Sequence, residues 1–161
     1  MAKFKMLVGI PASGKSTYAD ALNREGWKVF SSDKLRERMH IKRSREVFSI
    51  LEENIVASLK NGRDCVLDAT NVKSIHRKKM MEKFTAVAES SSCDVFLIPT
   101  KVCMDRNRKR RNKHGVTDEV IIKMANRFEM PQISEGFQTI IVHRLPEADR
   151  NCFESADERM A

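Results

Sequence analysis

The sequence lacks the features that mark membrane proteins, secreted proteins and repeat proteins. No apolar run is long enough to cross a bilayer. Residues 1–5 lead directly into an apolar segment and leave no room for a signal peptide. Neither an internal repeat nor a linker between domains is found. We therefore expect a single domain that stays in the cytoplasm and has no membrane partner.

Cysteine and histidine are few and scattered. The four cysteines form no C-x-x-C pair, and the four histidines show no spacing typical of metal ligands. We expect reduced thiols rather than disulfides or a zinc site, and histidines on the surface or hydrogen-bonded in the core. The residues concerned are Cys65, Cys93, Cys103, Cys152, His40, His76, His114 and His143.

The composition fits one globular domain with a basic surface. Of the 161 residues, 41% are hydrophobic, which is enough for one core, and 32% are charged. The formal net charge is +8, and the sequence pI is about 9.5. A positive balance favours polyanionic partners, nucleic acid above all, although a nucleoside triphosphate also attracts cations.

The most informative segment is GIPASGKS at residues 9–16, which fits the phosphate-loop pattern G-x-x-x-x-G-K-[ST]. It lies between an apolar run typical of a buried strand and the beginning of a helix pattern. Backbone N–H groups of such a loop surround phosphates, and the helix N-terminus adds partial positive charge. We expect Lys15 to reach the β- and γ-phosphates of ATP and the Ser16 hydroxyl to bind Mg²⁺. The predicted nucleotide-binding residues are Gly9, Pro11, Ala12, Ser13, Gly14, Lys15, Ser16 and Thr17.

Strand and helix patterns alternate along the chain, which predicts an α/β fold with a parallel sheet covered by helices. The predicted strands span residues 4–9, 27–31, 65–68, 94–98 and 138–142. The predicted helices begin at Ser16, after Asp33, near Glu46, at a Ser74 cap and at a Thr117 cap. Because the chain turns polar near its end, we divide it into a phosphate-loop domain at 1–145 and a polar tail at 146–161.

Ser31-Ser32-Asp33 follows the second predicted strand. Ligands bind at the carboxyl ends of strands in open parallel sheets, so Asp33 is well placed to accept a proton from an attacking hydroxyl. Arg36 lies one helical turn further on, where we expect it to hold a phosphate of the acceptor. An equally supported alternative is that Asp33 only caps the following helix.

A second acid, Asp68, ends the third predicted strand and is followed by Ala69-Thr70-Asn71. An acid at this place usually orients the water shell of Mg²⁺. No glutamate follows it, which argues against an ATP hydrolase that needs a base to activate water. Thr70 and Asn71 are expected to touch the substrate, or only to form a turn.

Residues 101–113 are the most basic stretch of the chain and contain a single acid. On a helix, Arg106 and Arg110 would share one face at i, i+4. Two arginines on a lid are suited to clamp ATP phosphates and to stabilise charge on the transferred phosphoryl group. The alternative is an ordinary solvated helix face, which explains any single arginine better than it explains the whole group.

These features together resemble the kinase domain of the 5′-hydroxyl polynucleotide kinases, of both the phage end-healing type and the bacterial and animal kinase-phosphatase type. The resemblance covers most of the chain, and the wider family also contains small-molecule kinases with a similar loop. Ser31-Ser32 stands where the phage type usually has Asn-Arg, and is closer to the bacterial type. The matching segments are GIPASGKST (9–17), SSDKLR (31–36), LDATNV (67–72), VCMDRNRKR (102–110) and FEMPQISEGF (128–137).

The resemblance implies a role for each matching residue. Lys15 and Ser16 would bind the triphosphate and Mg²⁺, and Asp33 would be the general base for the 5′-hydroxyl. Arg36 would grip the phosphate next to that hydroxyl. The lid arginines on the ATP phosphates would be Arg106 and Arg110, and the residues beside the acceptor channel would be Asp68, Thr70 and Asn71. The implied catalytic set is Lys15, Asp33 and Arg110.

The sequence thus predicts ATP-dependent transfer of the γ-phosphate to 5′-hydroxyl ends of RNA or DNA, an activity of end healing and repair. Two alternatives stay open: a kinase acting on a sugar, nucleoside or antibiotic hydroxyl, and a nucleotide-dependent RNA-binding module without catalysis. By analogy of fold, a short freestanding kinase suggests a phage protein in the host cytoplasm. We expect Asp33→Ala to abolish turnover, and Arg110→Ala to lower kcat far more than Arg111→Ala.

Overall fold

A computed structural model describes residues 1–110 and 115–146 of the chain. The five strands are β1 (Lys3–Val8), β2 (Lys28–Ser31), β3 (Cys65–Asp68), β4 (Ser90–Leu97) and β5 (Thr139–Arg144). The helices are α1 (Lys15–Arg24), α2 (Ser32–Met39), α3 (Ser44–Lys60), α4 (Ser74–Thr85), α5 (Thr100–Lys109) and α6 (Asp118–Arg127), with a 3₁₀ turn at Ile133–Glu135. In the described residues, no helix is both long and apolar enough to cross a bilayer.

The strands form one parallel sheet in the order β2-β3-β1-β4-β5. β1 is central, and its Met6 pairs with Leu67 on one side and Cys93 on the other. The predicted α/β fold with a parallel sheet between helices is confirmed. Because all strands run the same way, the segments that follow them meet at one edge of the sheet, where ligands bind in such folds.

Helices cover both faces of the sheet, as side chains that alternate along a buried strand require. Phe4, Met6 and Val8 of β1 point to the face covered by α3 and α4. The predicted apolar stripes of those two helices lie in this core: Val47, Leu51, Ile55, Leu59, Met80, Met81 and Phe84. Leu7 points to the opposite face and packs with Ala19 and Leu22 of α1.

Local boundaries differ from the sequence-based expectations at a few places. β4 begins at Ser90 rather than at Asp94, because the polar Ser90–Ser92 stretch pairs with Lys3–Lys5 of β1. Ser74 does not cap α4: it is the first helical residue, and the preceding residue provides no side-chain cap. The predicted Thr117 cap is confirmed, since its side chain accepts a hydrogen bond from the Val120 N–H at 3.3 Å.

The predicted reduced thiols are confirmed for Cys65, Cys93 and Cys103, which are buried and unpaired. Cys152 and His114 lie outside the described residues, as does nearly all of the predicted tail.

A buried polar cluster ties α1 and β5 to the middle of the sheet. The Asp94 carboxylate on β4 is fully buried and accepts a hydrogen bond from Lys5 Nζ at 2.7 Å. It also accepts one from the Tyr18 hydroxyl at 3.2 Å, and His143 Nε2 lies 2.7 Å from the same carboxylate oxygen. Since Tyr18 is on the helix that follows the phosphate loop, this cluster helps to fix where that helix begins.

Candidate active site

The phosphate loop connects β1 to α1 through a path that its glycines permit. The Gly9 N–H donates to the Thr70 carbonyl at 3.0 Å. A Cβ at Gly9 would lie 2.7 Å from Ser13 Oγ and 3.1 Å from Phe96 Cβ, so a side chain there has no room. Gly14 precedes the first helical residue with φ of 101°, a left-handed conformation that other residues rarely adopt. The backbone therefore follows the course that the motif predicts.

Lys15 is buried inside this loop, with 7% of its surface exposed. Its ammonium donates to the Ile10 carbonyl at 2.9 Å and lies 3.4 Å from Ser13 Oγ. Burial lowers the pKa of Lys15 to about 8, although the charges of Asp68 and Asp33 raise it in part. The hydrogen bonds of this ammonium within residues 1–110 and 115–146 go to a carbonyl and a hydroxyl, and a triphosphate would add charged oxygens as acceptors.

Ser16 and Asp68 meet beside the loop. The Ser16 hydroxyl donates to Asp68 Oδ2 at 3.0 Å, which brings the start of α1 to the end of β3. Burial raises the pKa of the Asp68 carboxyl, while the nearby Lys15 ammonium lowers it in part. A hydroxyl and a carboxylate oxygen are the hard donors that Mg²⁺ prefers. These two side chains therefore fit a magnesium ion that is also held by nucleotide phosphates.

Asp33 does not cap α2, so the capping alternative is wrong. The Ser31 side chain is the cap and accepts a hydrogen bond from the Lys34 N–H at 3.3 Å. The Asp33 carboxylate is 80% exposed and lies 3.2 Å from Arg36 Nη1. Its negative charge contributes to the pKa of the buried Lys15, which places it near the phosphate loop. The carboxylate is thus accessible to a ligand while it accepts a hydrogen bond from Arg36.

Arg36 connects the candidate base to the next helix. While Nη1 faces Asp33, Nη2 donates to Ser44 Oγ at 3.0 Å. Ser44 is the first residue of α3, so the guanidinium lies between two helices and is only 30% exposed. A guanidinium held in this way presents its remaining N–H groups in a fixed geometry, which suits a phosphate.

The lid helix α5 turns two arginines toward the loop. Arg106 Nη1 lies 4.0 Å from the place where a Gly14 Cβ would be. Arg106 and Arg110 both line one cavity with the loop residues. Arg108 instead pairs with Asp118 of α6 at 2.7 Å, as on an ordinary solvated helix face. Contacts of Arg106 and Arg110 with ATP phosphates stay a prediction. Arg111 and Lys113 lie outside the described residues.

The cavity between the loop and the lid has a volume of about 430 Å³. Its lining includes a segment that sequence reasoning missed, at the end of β5. The lining residues are Ala12, Ser13, Gly14, Thr17, Ile98, Arg106, Arg110, Arg144, Leu145 and Pro146. The available signal was position: residues that follow the last parallel strand lie at the same edge as the loop. Pro146, assigned to the polar tail, belongs to this cavity.

Hydrogen bonds to β1 and to the phosphate loop fix the turn that follows β3. Asn71 adopts φ of 47°, and its side-chain amide donates to the Leu7 carbonyl at 2.8 Å. Only 7% of Asn71 is exposed, and Thr70 uses its carbonyl to accept from Gly9. The turn therefore joins the phosphate loop to β3. Contacts of Thr70 and Asn71 with a substrate stay a prediction.

A buried ion pair beneath this turn was not predicted. Arg77 is completely buried; its Nε lies 2.8 Å from Glu135 Oε1, and its Nη1 donates to the Asn71 carbonyl at 2.8 Å. A signal was present in the sequence, because Arg77 precedes Met80, Met81 and Phe84 at the spacing of one helix face. Arg77 thus supports the acceptor side of the site from within the core.

Known proteins share this arrangement. Residues 5–131 match the family described as AAA domain. The Arabidopsis thaliana protein named Transcription factor bHLH140 is 25% identical over 144 residues, which cover 84% of this chain but 15% of that protein. A chain of the Pnkp1/Rnl/Hen1 RNA repair complex is 27% identical, with a TM-score of 0.70 over 78% of this chain and 43% of that chain. The chain thus spans less than half of either relative.

A gluconokinase from Sinorhizobium meliloti 1021 has the same fold at 16% identity, with a TM-score of 0.62 over 91% of this chain and 86% of that one. At this identity the likeness concerns the fold and leaves the substrate open. Because residues 5–131 match its model, the chain belongs to the AAA domain family, as a nucleotide-binding P-loop kinase domain similar to those of the polynucleotide kinases.

Proposed function

We propose that this domain transfers the γ-phosphate of ATP to the 5′-hydroxyl end of RNA or DNA. The observation that carries the proposal is the contact of 3.2 Å between the exposed Asp33 carboxylate and Arg36, near the phosphate loop. A base for an attacking hydroxyl and a cation for a phosphate stand side by side. A polynucleotide 5′ end carries both groups, a hydroxyl and a neighbouring phosphate.

The donor side of the site holds the triphosphate. The loop amides, Lys15, Arg106 and Arg110 provide positive charge around the cavity. Mg²⁺ would be held by Ser16 and by Asp68 through water, and would neutralise charge on the β- and γ-phosphates. Positioning and charge neutralisation are the main requirements of phosphoryl transfer.

The chemical step balances with the groups present. The 5′-oxygen forms a bond to the γ-phosphorus as the bond from that phosphorus to the β,γ-bridging oxygen breaks, and ADP leaves. The hydroxyl proton passes to Asp33. A general base typically increases the rate of such a step by about 10²- to 10⁴-fold. Arg110 stabilises the charge that spreads over the transferred phosphoryl oxygens.

A kinase of small-molecule hydroxyls is the second candidate, since the same fold occurs in a gluconokinase over most of both chains. Against it stand the 80% exposure of the Asp33 carboxylate and the net charge of +8, both of which suit an open site for a polyanion. A binding module without catalysis has no need of Asp33 beside Lys15 and Ser16.

The test is an acceptor panel with γ-labelled ATP and Mg²⁺. Ten-nucleotide RNA and DNA with a 5′-hydroxyl are compared with the same strands already phosphorylated at the 5′ end, and with gluconate, nucleosides and aminoglycosides. We expect label only on the 5′-hydroxyl strands. Label on a small molecule and on no strand would favour the second candidate, and label on nothing would favour the binding module.

A further inference from the structure

A second group of basic residues lies on the acceptor side of Asp33, outside the lid. Residues 33–46 contain six lysines and arginines against three acids. Beyond Lys34 and Arg36, four of these cations are exposed, and they occupy the end of α2, the connection and the start of α3. We name them the α2–α3 basic cluster: Arg38, Lys42, Arg43 and Arg45.

The local fold brings the connection and the start of α3 beside Arg36. His40 ends α2 in a left-handed conformation with φ of 54°, and the Ile41 N–H returns to the Arg36 carbonyl at 3.3 Å. The chain therefore reverses within a few residues, and α3 begins next to α2. Arg36 Nη2 then donates to Ser44 Oγ at 3.0 Å. Arg43 and Arg45 flank Ser44, so each is the direct chain neighbour of the residue that Arg36 touches.

The nucleotide does not require these cations. The cavity at the phosphate loop has its own arginines, which are Arg106, Arg110 and Arg144. In the part of the chain that the structure describes, none of the α2–α3 basic cluster lines that cavity. Exposed like charges that are neighbours in sequence repel each other, and the three acids of residues 33–46 offset only half of the six positive charges. The cluster is thus positioned for an anion that extends away from Asp33.

We propose that the α2–α3 basic cluster binds the backbone phosphates of the acceptor strand beyond the phosphate held by Arg36. This inference rests on the proposed function and adds to it a preference for a polymer over a mononucleotide. The 5′-hydroxyl lies at Asp33, the adjacent phosphate at Arg36, and the following phosphates along the connection toward α3. Each phosphate that is neutralised releases counterions, with a salt slope of about 0.7 per contact for a single strand.

The experiment compares two acceptors that differ in the number of phosphates. A nucleoside 3′-monophosphate offers one phosphate next to its 5′-hydroxyl, and a ten-nucleotide strand offers several. The test variant is Lys42→Gln/Arg43→Gln. The matched control is Lys60→Gln/Arg63→Gln, which also removes one lysine and one arginine, both exposed. Lys60 ends α3, about 25 Å along the helix from its start at 1.5 Å per residue, and Arg63 follows in the next turn.

We expect the Lys42→Gln/Arg43→Gln variant to raise KM for the ten-nucleotide strand about tenfold more than KM for the mononucleotide. Its salt slope for binding the strand, followed by fluorescence anisotropy, should fall by about 1.4, since two phosphate contacts are lost. The control variant should match the unmodified protein in both measurements.

An equal effect on the two acceptors, or an equal effect of the control variant, would overturn the inference. An unchanged KM for the strand would also overturn the inference. It would favour an acidic protein surface as the partner of the cluster. Failure of the proposed function has a different signature, because then the unmodified protein labels neither acceptor. Direct binding of the strand by anisotropy still reports on the cluster in that case, and an unchanged salt slope would refute it.

Discussion

The buried ammonium of Lys15 leads to a prediction about proton uptake when ATP binds. Burial lowers the pKa of Lys15 from 10.5 to about 8 in the nucleotide-free loop. At 1.36 kcal/mol per pKa unit, the protonated form of Lys15 is about 3 kcal/mol less favourable in the loop than in water. Triphosphate oxygens at the ammonium would favour the charged form and raise the pKa again. Binding above pH 8 must therefore take up a proton.

The size of the uptake follows from the pKa. With a pKa of about 8, roughly a quarter of Lys15 is protonated at pH 8.5 and about nine-tenths at pH 7. If bound ATP keeps the lysine fully charged, uptake is about 0.8 proton at pH 8.5 and about 0.1 at pH 7. Isothermal titration calorimetry in two buffers of different ionisation enthalpy measures this number directly.

Lys15→Arg is the control, because a guanidinium stays protonated throughout this range and has no proton to take up. Equal uptake by the unmodified protein and this variant at pH 8.5 would refute the assignment, as would zero uptake by the unmodified protein. The lowered pKa of Lys15 also affects the free energy of unfolding. Between pH 8 and 10.5 the unfolded chain binds more protons at Lys15 than the folded chain does. The nucleotide-free protein should therefore gain stability from this group as the pH rises.

Two further predictions concern the lid and the core. Arg110→Ala should lower kcat by about 10³-fold in a steady-state assay. Arg108 pairs with Asp118 on the surface, so Arg108→Ala should change kcat by less than about twofold. Equal losses would mean that a different set of α5 side chains faces the nucleotide. Arg77→Leu should cost about 3–5 kcal/mol in urea unfolding, because Glu135 stays buried without its partner, and Arg77→Leu/Glu135→Leu should recover much of the loss. A double variant as unstable as the single one would contradict this reasoning.

Local spacing was enough to predict the site residues that lie close together in sequence. The phosphate loop follows a fixed motif, and the i, i+4 spacing of Arg106 and Arg110 predicted that they lie on one side of the site. Arg110 follows the last residue of α5, and both arginines line the same cavity. The parallel sheet follows from alternating strands and helices. Residues 65–68 were predicted with the observed bounds, because short apolar segments between turn signals are the clearest strand pattern.

Long-range pairing could not be predicted in this way. Lys5 and Asp94 are 89 positions apart, and each is the one charged residue of its predicted strand, 4–9 or 94–98. Only the order of the strands, which places β1 beside β4, brings them together. Arg77 was missed for a different reason, since a charged residue followed by Lys78 and Lys79 is typical of a solvated face. Its position on the apolar stripe was a signal that charge obscured.

The central claim is that Asp33 is the base for a polynucleotide 5′-hydroxyl. The most direct test is label transfer from γ-labelled ATP to a 5′-hydroxyl strand by Asp33→Ala and by the unmodified protein, with ATP affinity measured on both. Loss of turnover by about 10²-fold or more, with ATP affinity retained, is the predicted result. Retained turnover in Asp33→Ala would contradict the account, and would move the base to another residue.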